Sequence, residues 1–318
     1  MKRAVSLVIL VIFSLQLKAE EIPFGSRYNA RLMMQRPLPR GDFNKLVLPV
    51  KRVGNLIIVE ATVDGIRGNF IFDTGAPYLV LNETYFREYE EVPDVAATDV
   101  NGNLVPQKVT KVSRLKMLGM HYENVEADVS DLSAIENRRG IKILGLLGVN
   151  LFMRMEIELD LRNEQLIIYR VDREGRRLDK PYEHQVGEFS MPFDLSNNAI
   201  LIDGKINGKD LRFCMDSGAE VLMLANNLPA EVYEDVRIVR RSTLLGSSSE
   251  AEVLVGALRK LDVGLALTNC QVIIADLEEI GRAYGTNVDG FVGYDLLKEG
   301  RLCINFKTKE LIVNAYSD

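Results

Sequence analysis

The stretch Phe70-Ile71-Phe72-Asp73-Thr74-Gly75-Ala76 returns later in the chain as Phe213-Cys214-Met215-Asp216-Ser217-Gly218-Ala219. Each copy runs from three apolar residues into Asp, a hydroxyl residue, Gly and Ala, and the offset is 216 − 73 = 143. Upstream the same offset relates Leu48-Pro49-Val50 to Met191-Pro192-Phe193, Asn55 to Asn198, and Val63-Asp64-Gly65 to Ile206-Asn207-Gly208. Downstream the offset becomes 264 − 119 = 145, which relates Gly119 to Gly264, Asp131-Leu132 to Asp276-Leu277, Leu147-Gly148 to Val292-Gly293 and Leu166-Ile167-Ile168 to Leu311-Ile312-Val313. A ladder of matches in fixed order is the mark of internal duplication. Each unit is roughly 130 residues long by these offsets, and the two either face each other or stand in tandem.

Each copy reads as mostly β. Val47–Val50, Leu56–Val63 and Phe70–Phe72 are short β-branched and apolar runs separated by turn pairs such as Asp64-Gly65. Asn101-Gly102 is a hairpin signal, because both residues tolerate the left-handed backbone of a tight turn. Leu245-Gly246-Ser247 is the softer counterpart in the second copy. Val149–Met153 and Tyr294–Lys298 read as short helices after a glycine, and Asp160–Tyr169 and Asn305–Val313 as strand, polar turn, strand.

With these motifs in place, each half resembles the retropepsin-like branch of the aspartic peptidases. The resemblance rests on the apolar strand, the D-[ST]-G-A segment and the later apolar-apolar-Gly segments Leu146-Leu147-Gly148 and Phe291-Val292-Gly293. It covers roughly residues 47–169 and 190–315 and implies an all-β fold of two β-barrel lobes with few short helices. One D-[ST]-G-A would occur by chance in about one chain in a hundred of this length; two at matching positions of a repeat carry far more weight. The resemblance implies that Asp73 and Asp216 are catalytic. Two carboxyls in near contact cannot both ionise, so one acts as base on a water while the other donates to a peptide carbonyl; aspartic peptidases are the standing example of that effect. It further implies that the Thr74 and Ser217 hydroxyls lock the two loops together, that Gly75 and Gly218 leave backbone amides open beside the carboxyls, and that the hairpins around Asn101-Gly102 and Leu245-Gly246-Ser247 are flaps. Ala76 and Ala219 stand where the pepsin-like branch carries a hydroxyl bonded to the catalytic carboxylate. The dyad is therefore expected to titrate higher than in those enzymes, with activity reaching towards neutral pH. No Tyr lies between Thr98 and Lys111, so the pepsin-like flap tyrosine has no equivalent.

The remaining sequence bounds the reading. Lys2 and Arg3, an apolar run from Ala4 to about Leu17 and the small residue Ala19 give residues 1–19 the pattern of a cleaved secretory signal, against the alternative of a retained anchor. Residues 20–46 form an extension without a counterpart, 47–169 the first lobe, 170–189 a charged linker read as a solvated loop, and 190–318 the second lobe. The expected location is secreted or periplasmic, without a stable membrane anchor once the signal is removed. Forty-five acidic against 39 basic residues give a net charge of −6, which offers no basic face for nucleic acid. Cys214, Cys270 and Cys303 match no metal spacing and read as buried thiols, with pairing of two of them left open. His121 and His184 are the only histidines, and with no G-x-S-x-G segment they supply neither a serine hydrolase nor a zinc site. No cofactor is expected. The partner is a peptide or protein substrate, and a tethered pair of lobes favours a monomer with one intramolecular site over pairing between chains. The rival is a peptide-binding or scaffold module on the same fold that no longer cleaves.

Overall fold

The computed structural model describes residues 36–98, 104–181, 183, 188–245 and 250–316. In the first lobe, β1 (Lys45–Val53), β2 (Leu56–Val63) and β3 (Ile66–Phe72) form an antiparallel meander. Asp64-Gly65 closes its second turn with φ of 46° and 89°, which is why those residue types stand there. β4 (Val80–Asn82), β5 (Glu90–Thr98), β6 (Leu104–Met117), β7 (Met120–Ser130) and β8 (Gly145–Leu147) complete a sheet of order β1-β2-β3-β8-β4-β7-β6-β5, and a β2–β6 pairing curls it towards a barrel. The second lobe repeats the scheme. Its strands are β12 (Asp194–Ser196), β13 (Ala199–Ile206), β14 (Lys209–Met215), β15 (Leu222–Ala225), β16 (Val236–Leu245), β17 (Glu250–Asp262), β18 (Ala266–Ala275) and β19 (Gly290–Val292). Their order is β12-β13-β14-β19-β15-β18-β17-β16, curled by a β13–β17 pairing. The all-β, two-lobed, duplicated architecture read from the sequence is therefore the one observed.

The lobes share a six-stranded antiparallel sheet. It runs β11 (Glu188–Pro192), β21 (Glu310–Ala315), β20 (Gly300–Asn305), β9 (Met155–Asp160), β10 (Gln165–Arg170) and the first half of β1. Its centre is the β9–β20 ladder, with Ile157 opposite Ile304 and Leu159 opposite Leu302. β1 serves this sheet through Lys45–Pro49 and its own lobe through Val50–Val53. In the second lobe the same job is divided between β11 and β12, with Phe193 between them. One hydrophobic core crosses the shared sheet, from Ile57 and Val59 in the first lobe to Ile202 and Phe213 in the second by way of Ile157, Ile168, Ile304 and Val313. The copies thus face each other across a common core.

Three short helices escaped the sequence reading, and two of them, α1 (Ser133–Arg139) and α3 (Glu278–Ala283), hold matching places in the two lobes. Each covers a satellite core through corresponding residues, Leu132 and Ile135 in one lobe and Leu277 and Ile280 in the other. A helix of about two turns shows too little of the 3.6-residue period to stand out. The remaining helices, α2 (Ala230–Tyr233) and α4 (Tyr294–Leu297), and a single 3-10 turn at Val149–Leu151 are shorter still.

The linker departs from its reading as a plain solvated loop. Val171 bridges Arg177, and the Arg177 side chain is only 11% exposed. Its guanidinium meets Glu156 at 2.5 Å and Glu158 at 3.0 Å and lies 3.6 Å from the centre of the Tyr169 ring. Two carboxylates projecting from the central strand β9 need a cation, and the linker supplies it. The three cysteines are buried and free.

Candidate active site

Asp73 and Asp216 each leave the end of a strand held in a parallel ladder. Phe72 is opposite Leu147 and Met215 opposite Val292. The backbone continues the match: Asp73 N–H donates to Leu147 O at 3.2 Å and Asp216 N–H to Val292 O at 2.9 Å. The apolar-Gly segments then fix the far side of each loop. Val149 N–H donates to Ala76 O, and Tyr294 N–H to Ala219 O.

The two loops interlock by a reciprocal exchange. Thr74 N–H donates to Ser217 Oγ at 2.9 Å, and Ser217 N–H to Thr74 Oγ1 at 2.8 Å. Each hydroxyl passes its own proton on to the strand before the opposite aspartate, Thr74 to Met215 O and Ser217 to Phe72 O, both at 3.0 Å. Every donor and acceptor in this buried knot is used, which makes the relative position of the loops stiff.

That knot brings the two carboxyls within hydrogen-bonding reach of each other, with Asp73 2% and Asp216 1% exposed. Asp73 Oδ1 accepts the amides of Gly75 at 2.9 Å and Ala76 at 3.2 Å; Asp216 Oδ1 accepts that of Gly218 at 2.7 Å. A Cβ on Gly75 would lie 2.5–2.6 Å from the Asp216 carboxyl oxygens, and one on Gly218 would lie 2.9 Å from Asp73 Oδ1. Only glycine lets the opposite acid come so near. Burial raises the pKa of both carboxyls above the ordinary carboxylate range. For Asp216 the charge on Asp73 adds to the burial. The pair is therefore one coupled unit that keeps a single proton over a wide pH range.

All six loop residues named from the sequence converge here. The flap candidates behave differently. β5–β6 and β16–β17 are antiparallel hairpins, and Leu245 is the last residue of β16. Asn101, Gly102, Gly246 and Ser247 lie outside the described residues. Among the described residues no group of three or more His, Cys, Asp or Glu side chains is placed to hold a metal ion.

Three features of the site went unread in the sequence. Tyr284, at the end of α3, donates from its hydroxyl to Gly75 O across the lobe boundary at 2.8 Å. Arg139, at the end of α1, reaches across to Glu220. Asn55 and Asn198 match in the repeat, yet their cross-lobe bonds have no sequence signal, since each spans more than 120 positions.

Two lobes joined by a shared sheet, with a carboxyl pair at their junction, define the bilobed aspartic proteinase class. The chain belongs to the family described as Aspartyl protease, whose sequence model matches it twice, at residues 59–151 and 202–296. Among solved structures, an aspartic proteinase from Irpex lacteus superposes with a TM-score of 0.53 at 10% identity, covering 86% of this chain and 98% of that one. The structure of edgp superposes at 0.50 with 12% identity, covering 88% and 95%. No curated protein is significantly similar in sequence.

Proposed function

We propose that the protein is an aspartic endopeptidase in which Asp73 and Asp216 activate a water between them. What carries the reading is a pair of buried carboxyls within hydrogen-bonding reach, each furnished with backbone donors and neither paired with a cation among the described residues. A structural carboxylate pair of this kind, sharing one proton, destabilises the fold at neutral pH; a charged base beside a neutral acid is what peptide hydrolysis needs. The ionised member removes a proton from water, and the hydroxide attacks the scissile carbonyl carbon. The protonated member gives its proton to the carbonyl oxygen, which yields a neutral tetrahedral diol. On collapse the newly ionised carboxyl takes a proton from a diol hydroxyl and the newly protonated one gives its proton to the leaving nitrogen, which expels the amine and restores each carboxyl to its starting state.

The substrate is an extended peptide or protein segment, and the site is complete within one chain. Supporting this, the Thr74–Ser217 exchange and the β9–β20 ladder both join residues of the same chain. The amino-terminal pattern supports export to the periplasm or beyond. No described helix is long and apolar enough to cross a membrane.

The test is cleavage of a mixed peptide library by the wild-type chain, Asp73→Asn and Asp216→Asn. Cleavage by the wild type alone is expected. If the wild type cleaves nothing and all three bind peptides, the non-catalytic binding module is the correct reading.

A further inference from the structure

The symmetry of the two loops is broken at one point. Tyr284 is 4% exposed, and its hydroxyl donates to Gly75 O at 2.8 Å. That oxygen belongs to the same peptide unit as the Ala76 N–H, which donates to Asp73 Oδ1 at 3.2 Å. The Cys214 thiol lies within hydrogen-bonding reach of the same phenol. A peptide unit that accepts a hydrogen bond at its oxygen becomes a better donor at its nitrogen, and a low-dielectric interior strengthens the effect.

The other loop lacks this arrangement. By the offset of the repeat, 284 − 145 = 139, so the counterpart of Tyr284 is Arg139, which turns to Glu220 instead. The Ala219 N–H, counterpart of the Ala76 N–H, donates to the backbone carbonyl of Asp216 at 3.0 Å rather than to its carboxyl. Asp216 is left with the Gly218 amide and a share of the Gly75 amide.

We propose that Tyr284 is a positioning residue: acting through the Gly75–Ala76 peptide, it makes Asp73 the member of the pair that carries the charge and Asp216 the member that carries the proton. The labels of base and acid rest on the peptidase reading; the hydrogen-bond relay itself does not. Among the described residues, the titratable groups bearing on the pair are the Cys214 thiol on β14 and the Tyr284 phenol on α3. Burial, first of all, holds both well above their ordinary pKa, so both stay neutral while the carboxyls titrate.

The experiment uses Tyr284→Phe, which removes only the hydroxyl, beside Ser196→Ala. The latter deletes the 2.6 Å bond from Ser196 Oγ to Tyr284 O and loosens the same helix end without touching the phenol. Two readouts are taken across pH: kcat and KM on a cleaved peptide, and the carbon-13 chemical shifts of the Asp carboxyls without substrate. Tyr284→Phe is expected to move the acidic limb of kcat, and the first carboxyl titration, to higher pH. Within that limb kcat should fall about twofold with KM unchanged, the factor expected when one bond to the carboxylate loses its cooperative strengthening. Ser196→Ala should move neither. If both variants merely lower thermal stability while limb and carboxyl titration stay in place, the relay is refuted and the peptidase reading stands. If the wild type never cleaves but the carboxyl titration shifts in Tyr284→Phe, the peptidase reading fails and the relay stands.

Discussion

Asn55 and Asn198, related by the repeat, make the same bond in opposite directions across the lobe boundary. Asn55 Nδ2 donates to Glu220 O at 3.2 Å and Asn198 Nδ2 to Pro77 O at 3.3 Å, each carbonyl lying two residues past the glycine of the opposite loop. A pseudo-twofold axis thus runs between the loops, and side chains outside the D-[ST]-G-A segments hold the loops against each other. Only on one side is the contact reinforced: the Asn55 N–H also donates to the Glu220 carboxylate at 3.1 Å, where Arg139 joins it.

Asn55→Ala keeps the backbone half of that contact and loses the side-chain half. The expected cost is about 1 kcal/mol, the usual worth of one part-buried hydrogen bond. Urea denaturation of the variant measures it, and an unchanged midpoint would show that the bond contributes nothing to lobe docking.

Gly75→Ala and Gly218→Ala should differ in severity. A methyl at residue 75 must displace the Asp216 carboxyl from 2.5 Å, whereas at residue 218 it meets Asp73 Oδ1 at 2.9 Å. Cleavage should be abolished in Gly75→Ala and reduced less in Gly218→Ala. Equal loss, or a milder effect at Gly75, contradicts the close approach of the two loops.

Asp216→Asn should stabilise the fold at neutral pH. The folded pair holds its proton above the ordinary carboxylate value, chiefly because of burial. A raised folded pKa gives stability that is complete below the unfolded value and is lost as pH rises through the folded one. Each unit of elevation is equivalent to about 1.4 kcal/mol. Replacing the acid with an amide removes that loss, so the melting temperature of the variant should exceed the wild type at pH 7, and the gap should close as pH falls below the ordinary carboxylate pKa. A wild type that melts at the same or a higher temperature at pH 7 would show that the pair is not strained by charge.

Arg177→Ala removes the nearest cation from Glu156 in the shared sheet and leaves Glu158 with Arg301 at 3.5 Å. Glu156 and Glu158 are 3% and 6% exposed, and burial already holds the Glu156 carboxyl above its ordinary pKa against the pull of Arg177. Removing one partner of a buried ion pair typically costs about 3–5 kcal/mol. Differential scanning calorimetry of Arg177→Ala and of Glu156→Gln/Arg177→Met gives the comparison. The double variant should recover part of the loss, and an Arg177→Ala chain as stable as wild type would return the linker to the status of a solvated loop.

The absence of hydroxyls at Ala76 and Ala219 bears on the pH range of activity. Neither side chain can donate to a carboxylate, so at these positions the charged form is stabilised by backbone amides and not by an added hydroxyl. Measurable cleavage is expected near pH 6; an optimum around pH 3 with none at pH 6 would contradict this.

The duplication, the strands and the two acids were legible because they are local patterns: apolar runs of period two, turn pairs with left-handed backbone, and a short segment that recurs at a fixed offset. Such signals depend on residues a few positions apart. Tyr284, Arg139 and Arg177 gave no such signal, since each acts on a residue 19 or more positions away and belongs to a short helix or a linker without periodicity. The chain alone determined that two like halves each present an aspartate after a buried strand. The tertiary structure decided that one core and one six-stranded sheet bind the halves face to face, which of the two loops the Tyr284 hydroxyl supports, and how the buried charges of the shared sheet are neutralised. The physical reason is that packing between lobes selects partners by proximity in space, a quantity that spacing along the chain does not encode.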